Sequence, residues 1–236
     1  MFVFPWVGPG RRRALVKRWS ARLLSMLDVT VVMVGDPGVR GGNVLLVANH
    51  ISWLDIFVLN ALHPVRFVGK SELTRWPVVS RMIRGAGTIF IEREKRRDTH
   101  RVSHQMAALL AGGDVVAIFP EGTTSDGIGV LPFKSSLLQP IVEAKGRVQP
   151  LAIRYRNGDG SIALAPTYVG ETSFAESFWA VCGARALTVH VTSLPTLPAS
   201  GRSRRELARE AESSIRTALV GAGAAMAPDT RGGLAA

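Results

Sequence analysis

Short runs rich in Val, Ile and Leu alternate with stretches of helical periodicity along most of this sequence. Buried parallel strands have continuous apolar runs, and the helices that connect them cover the faces of the sheet. The alternation predicts an α/β fold: a single domain with a mixed, largely buried sheet flanked by helices. We expect this domain at residues 28–220, after a membrane-associating segment at 1–27 and before an Ala/Gly-rich disordered tail at 221–236.

This prediction depends on the order of the elements along the chain. The predicted strands are residues 29–34, 44–48, 65–68, 88–91, 115–119 and 148–155, with weaker candidates at 162–165 and 186–191. The predicted helices after the first segment are residues 54–62, 77–84, 97–111, 133–144, 174–181 and 204–220.

The composition favours an anionic, phosphate-rich partner. A formal net charge of +11 is combined with a mean hydropathy of +0.18, which fits a protein with a basic and apolar face. At residues 14–27 apolar positions recur at helical spacing with Arg and Lys between them, so we predict an amphipathic helix that lies on a membrane surface. An ordinary surface helix packed on its own domain is an equally weighted alternative.

The cysteine and histidine content excludes some classes of site. The one cysteine, Cys182, cannot form a disulfide framework within the chain, and no Cys/His spacing is typical of zinc. His100 and His104 have the spacing of neighbours on one helix face, but two surface histidines explain them more simply because no third ligand is apparent. We therefore expect no metal site.

Polar residues gather where the predicted strand 44–48 ends. Asn49, His50, Ser52 and Asp55 follow this strand and lead into a predicted helix, and sites of α/β proteins usually lie at such strand ends. A histidine followed five residues later by an aspartate can place the carboxylate against one imidazole nitrogen, which leaves the other nitrogen to accept a proton. The pattern points to a His/Asp base; helix capping by Ser52 or Asn49 is the structural alternative.

Two further strand ends carry polar groups. Strand 115–119 runs into Pro-Glu-Gly-Thr at 120–123, a turn whose backbone amides and hydroxyls can hold a phosphate or a polyol. Strand 88–91 is followed by Arg93, and arginine suits bidentate phosphate recognition. A plain loop and a solvated arginine are the simpler alternatives for these two stretches.

The three clusters, in this order, resemble the signatures of the glycerophospholipid acyltransferase family, whose bacterial type member is 1-acyl-glycerol-3-phosphate acyltransferase. The matching stretches are His50 and Asp55 in a His-x4-Asp core, residues 87–93, Phe-Pro-Glu-Gly-Thr at 119–123, and an apolar strand with a proline at 148–153. The resemblance covers roughly residues 28–195. One departure is Ser135, where many relatives have glycine.

The resemblance implies roles for particular residues. In that family the histidine is the general base for an acceptor hydroxyl, which attacks an acyl thioester directly, so His50 is the implied base and Asp55 its orienting partner. The implied substrate-binding residues are Arg93, Glu121, Gly122, Thr123, Lys70, Asn49 and Ser52. No cofactor is implied, since acyl-CoA or acyl-carrier protein serves as co-substrate.

The resemblance leaves the acceptor open. We expect 1-acyl-glycerol-3-phosphate, giving phosphatidic acid, but residues 123–127 and 131–136 also resemble the lyso-ornithine-lipid branch. The expected partners are a lysolipid, an acyl thioester, an anionic membrane and, for one donor, acyl-carrier protein, at the cytoplasmic face of the inner membrane as a peripheral or monotopic protein. A basic nucleic-acid-binding protein is the alternative from another class, but the sequence lacks a recognition motif.

Overall fold

The computed structural model describes residues 8–37, 39–70, 89–91 and 96–224. The helices in this part of the chain are α1 (Pro9–Met26), α2 (Asp55–Leu62), α3 (Arg96–Ala111), α4 (Gln139–Glu143), α5 (Phe174–Gly183) and α6 (Arg204–Ala224). The strands are β1 (Val29–Val34), β2 (Val44–Ala48), β3 (Arg66–Lys70), β4 (Ile89–Ile91), β5 (Val115–Ile118), β6 (Arg147–Arg156), β7 (Leu187–Ser193) and β8 (Leu197–Pro198).

The described strands form one mixed sheet in the order β1-β7-β6-β2-β5-β3-β4, with β8 on β6. β2 is parallel to both β5 and β6, so the carboxyl ends of these three strands lie at the same edge. β7 and β8 run antiparallel to β6. All five residues of β2 are buried, as its uninterrupted apolar sequence requires for a central strand with both faces covered.

Successive residues of β2 supply two separate apolar layers because side chains alternate across a strand. Val44, Leu46 and Ala48 belong to the layer that contains residues of α1 and α2. Leu45 and Val47 belong to the layer that contains residues of α3 and α6. The predicted sheet between helices is therefore confirmed, and the layer under α2 is the one that bears on the site.

Two element predictions need correction. The predicted helix 133–144 is a 3₁₀ turn at Ser135–Leu138 followed by α4, because Pro140 has no amide N–H to continue a helix and instead suits its first turn. The predicted strand 162–165 is reduced to one bridge between Ile162 and Arg156. The predicted helix 77–84 lies outside the described residues.

The ends of the chain also differ from the predicted boundaries. α1 begins at Pro9 rather than residue 14, since proline fits the first position of a helix. α6 continues through Ala224, past the predicted start of the tail. Residues 225–236 lie outside the described part.

α1 packs on α2 and keeps a second, exposed side. Leu24 and Ser20 are buried against the domain, and Trp19 meets Phe57 of α2 edge to face at 5.5 Å between ring centroids. Met26 is 70% exposed. None of the helices in the described ranges is long and apolar enough to span a membrane.

Candidate active site

The candidate site lies at the carboxyl ends of β2, β5 and β6. His50 follows β2 by two residues, Glu121 follows β5 by three, and Tyr155 is the penultimate residue of β6. Because these strands are neighbours and parallel, residues 71 and 100 positions apart in sequence meet at one edge of the sheet.

The His50–Asp55 pair that the sequence predicts is formed. Nδ1 of His50 lies 2.8 Å from Oδ2 of Asp55, whose side chain is fully buried at the first residue of α2. The backbone N–H groups of Ile51 and Ser52 donate to the same oxygen at 2.8 and 3.0 Å. The four residues between His50 and Asp55 thus wrap around the carboxylate. These backbone contacts hold Oδ2 of Asp55 within hydrogen-bond distance of the imidazole, which the His-x4-Asp spacing alone does not ensure.

A tyrosine completes the environment of Asp55. The hydroxyl of Tyr155 donates to Oδ1 of Asp55 at 2.7 Å, and the tyrosine is 1% exposed. Burial raises the pKa of Tyr155 well above 10.0, and the Asp55 charge and this hydrogen bond raise it further. Tyr155 was not among the site residues predicted from the sequence. The available signal was a phenol in a predicted buried strand, where a hydroxyl needs a hydrogen-bond partner.

The imidazole of His50 is held flat and left open on one side. Its ring stacks on Phe119 with centroids 4.0 Å apart and planes 9° from parallel. Within the described residues no group hydrogen-bonds its Nε2, and the side chain is 19% exposed. With Nδ1 committed to Asp55, the tautomer that leaves a lone pair on Nε2 is favoured, so the ring can accept a proton there.

Glu121 fastens the loop after β5 to the loop after β2. One carboxylate oxygen accepts the backbone N–H of His50 at 2.7 Å and the other accepts that of Leu131 at 2.9 Å. Burial raises the pKa of Glu121, although these two hydrogen bonds partly oppose the shift. Both oxygens of this predicted substrate-binding residue are therefore used to position backbone.

Three more contacts hold the loops around His50. Its carbonyl accepts the N–H of Ser125 at 2.7 Å, and the hydroxyl of Thr124 donates to the carbonyl of Tyr168. Gly127 has a φ of +74°, and a Cβ there would lie 2.9 Å from Cδ1 of Ile51. This close approach, with the left-handed backbone, explains why the position carries glycine.

Two of the remaining predicted binding residues are bound to the protein backbone. Asn49 and Ser52 are fully buried and serve the scaffold: the Asn49 amide exchanges hydrogen bonds of 3.0 and 2.8 Å with the backbone of Ile153, and the Ser52 hydroxyl accepts the N–H of Leu54. The contacts described for these two residues are to the protein backbone, and their predicted role in substrate binding stays a prediction.

The other predicted binding residues are only partly described by the structure. Gly122 turns with a φ of +76°, and Thr123 is exposed beside it. Lys70 closes β3, but its side chain is outside the described part, as is the whole of Arg93. Among the described residues, no three His, Cys, Asp or Glu side chains are close enough to hold a metal ion.

A family model and curated proteins that are similar to this chain are all acyltransferases. A family model described as Acyltransferase matches residues 30–154. The chain is 35% identical over 213 residues to the 1-acyl-sn-glycerol-3-phosphate acyltransferase of Neisseria meningitidis serogroup B, covering 89% of this chain and 83% of that protein. It is 36% identical over 213 residues to the lyso-ornithine lipid O-acyltransferase of Pseudomonas aeruginosa, covering 90% and 81%.

A solved structure shares the fold. The crystal structure of the 1-acyl-sn-glycerophosphate (LPA) acyltransferase PlsC from Thermotoga maritima matches with a TM-score of 0.68 at 23% identity, covering 91% of this chain and 81% of that one.

Proposed function

The chain belongs to the acyltransferase family, of the 1-acylglycerophosphate acyltransferase type, and from this premise we propose that it transfers a fatty acyl group from a thioester to the free hydroxyl of a lysolipid, with His50 as the general base. The observation that carries the proposal is the imidazole whose Nδ1 is bound to buried Asp55 while Nε2 is open.

The chemistry needs only a positioned base. Nε2 of His50 takes the hydroxyl proton as the acceptor oxygen attacks the thioester carbonyl, the C–O bond forms, and the C–S bond breaks to release a thiol that recovers the proton. Asp55 stabilises the imidazolium formed in this step. A thioester is already activated, so base catalysis and positioning together supply a plausible rate.

His50→Ala tests the base directly. We expect turnover of a labelled acyl donor and lysolipid to fall by about 10²–10⁴ with the thermal unfolding temperature little changed. His104→Ala removes an exposed histidine on α3 and is the matched control. Retained activity in His50→Ala would exclude this mechanism.

We propose 1-acyl-glycerol-3-phosphate as the acceptor, with acyl-CoA or acyl-carrier protein as donor. The basic net charge and the Gly122–Thr123 turn, where Thr123 is exposed, suit a phosphate. Arg93 follows β4 in sequence, and β4 lies two strands from β5 in the sheet. Lyso-ornithine lipid is the second candidate, because relatives named for that acceptor are as similar as those named for the phosphate.

A panel of two acceptors and two donors separates these candidates. A phosphate acceptor predicts higher kcat/KM with 1-acyl-glycerol-3-phosphate, and Arg93→Ala should lower that value while changing the value for lyso-ornithine lipid much less. Arg205→Ala, an exposed arginine on α6, is the control. Higher kcat/KM with lyso-ornithine lipid would assign the second acceptor instead.

We also propose that α1 holds the protein on the anionic surface of the cytoplasmic face of the inner membrane. The helix has no acidic residue, and its exposed positions include Lys17, Arg18 and Arg22 beside Leu15 and Trp19, each of the latter 40% exposed. Cations near a headgroup layer contribute about 1 kcal/mol each, and apolar side chains between them add burial.

Charge reversal tests this surface. Replacing Lys17, Arg18 and Arg22 with Glu should weaken binding to phosphatidylglycerol-containing vesicles by at least about 100-fold in a sedimentation assay. Reversing Arg204, Arg205 and Arg209 on α6 changes the net charge equally and should have a much smaller effect. Equal losses in both triple variants would mean that α1 is not the contact.

A further inference from the structure

We propose that Tyr155 is a positioning residue that, through Asp55, limits how strongly a protonated His50 is stabilised during the reaction. The inference rests on the proposed function, since it takes His50 to be the base. It concerns a contact between β6 and α2 that no local sequence pattern announces, because the two residues are 100 positions apart.

Asp55 accepts hydrogen bonds on both of its carboxylate oxygens. Its Oδ2 receives the imidazole and two backbone N–H groups, and Tyr155 is the donor to Oδ1. Each carboxylate oxygen has about two acceptor sites, so three donors crowd Oδ2 while Tyr155 binds Oδ1. The phenol is therefore the donor that draws negative charge toward the oxygen facing away from His50.

The charge on Oδ2 controls how strongly a protonated His50 is stabilised. A hydrogen bond to Oδ1 lowers the negative charge left on Oδ2, and the imidazolium gains less from that oxygen. Without the phenol O–H, Oδ2 would bind the imidazolium more tightly, and the neutral imidazole would be disfavoured relative to it. A protonated imidazole cannot take the acceptor proton.

Tyr155 can donate this hydrogen bond at every pH at which the enzyme would be assayed. Its raised pKa, caused first by burial and then by the Asp55 charge, keeps the hydroxyl protonated. Glu121 is a further titratable group near the pair, and its carboxylate binds the backbone of His50. Glu121 stays in place in the test below, so its influence is common to both enzymes.

Tyr155→Phe is the test, because it removes one hydroxyl and keeps the ring. We expect the midpoint of the acid limb of kcat/KM to move up by about half a unit to one unit of pH, with rates above the limb within about threefold of wild type. Ser177→Ala is the matched control. It also deletes one buried hydroxyl, the acceptor of the Trp53 indole N–H at 3.2 Å, without touching Asp55.

The outcomes separate this inference from the proposed function. An acid limb that moves in Tyr155→Phe but not in Ser177→Ala supports the role of Tyr155. A Tyr155→Phe profile that coincides with wild type, or that falls by the same factor at every pH, overturns it while His50→Ala still loses activity. Activity in His50→Ala overturns the proposed base itself, whatever Tyr155→Phe does.

Discussion

Replacing Asp55 by Asn separates the charge of the carboxylate from its shape. The wild-type side chain accepts four hydrogen bonds, from His50, Ile51, Ser52 and Tyr155. An amide has one oxygen and one N–H₂ group, so it cannot accept all four. If the N–H₂ group faces His50, it forces the tautomer with the proton on Nε2; if the oxygen does, the acceptor is neutral.

Either orientation weakens the base. Correctly positioned general-base catalysis contributes about 10²–10⁴ in rate, which corresponds to roughly 3–5 kcal/mol of barrier. We therefore expect kcat of Asp55→Asn to fall by about 10²–10⁴. KM should change much less, because Asp55 is fully buried and does not line an open surface.

The effect on stability should be smaller than the effect on rate. A hydrogen bond to a charged acceptor exceeds a neutral one by roughly 1 kcal/mol, so four of them lose about 4 kcal/mol when the charge is removed. The ionised carboxylate is fully buried, and the desolvation cost that asparagine avoids is also several kcal/mol. The two terms oppose each other, and we expect a net change within about 2 kcal/mol.

The measurement is kcat and KM with a labelled acyl donor, alongside denaturant unfolding of the same preparation. Asp114→Asn is the matched control: this carboxylate binds Arg13 and Arg66 at the amino end of β5, the opposite edge of the sheet from His50. A folded Asp55→Asn enzyme that keeps more than about a tenth of wild-type kcat, or an equal loss in Asp114→Asn, would refute the reasoning.

Three further predictions concern the loops and the pH dependence of folding. In Glu121→Gln, the new N–H₂ group faces one of the two backbone N–H donors and cannot accept its hydrogen bond. Urea unfolding should show a loss of about 1–3 kcal/mol in stability, and turnover should fall. An unchanged unfolding midpoint would contradict the role of Glu121 in joining the two loops. Gly127→Ala and Gly201→Ala both introduce a side chain at positive φ, +74° and +75° respectively. Each should lower the free energy of unfolding by about 1–2 kcal/mol. Only the Gly127 variant places a Cβ against Ile51, so only this variant should also reduce activity. Burial and two nearby cations hold the pKa of His63 below 6.5, so its contribution to stability is present above pH 6.5 and is lost as the pH falls through the range below it. His63→Gln should flatten that fall in the unfolding free energy, and an unaltered slope would argue against it.

The local sequence determined the elements and the spacing of the pair. β1 and β2 have the predicted bounds because their runs are rich in Val, Leu and Met and are bounded by Gly, Asp or Asn. His50 and Asp55 are close in sequence, so the pair could be inferred from one loop and one helix start. Predictions failed where a local pattern was weak: β8 has two residues and was missed, and Pro140 divides what periodicity presents as one helix.

Only the tertiary structure decided what each polar group contacts. Asn49 binds Ile153 across 104 residues, Glu121 reaches the backbone of His50 across 71, and Tyr155 reaches Asp55 across 100. A strand's own residues specify which of its faces is apolar, but its neighbours depend on the order and direction of the strands in the sheet. That order lets Glu121 and Asn49 bind the backbone of segments far away in sequence. It also brings Tyr155 to the His50–Asp55 pair, which the sequence alone presents as complete.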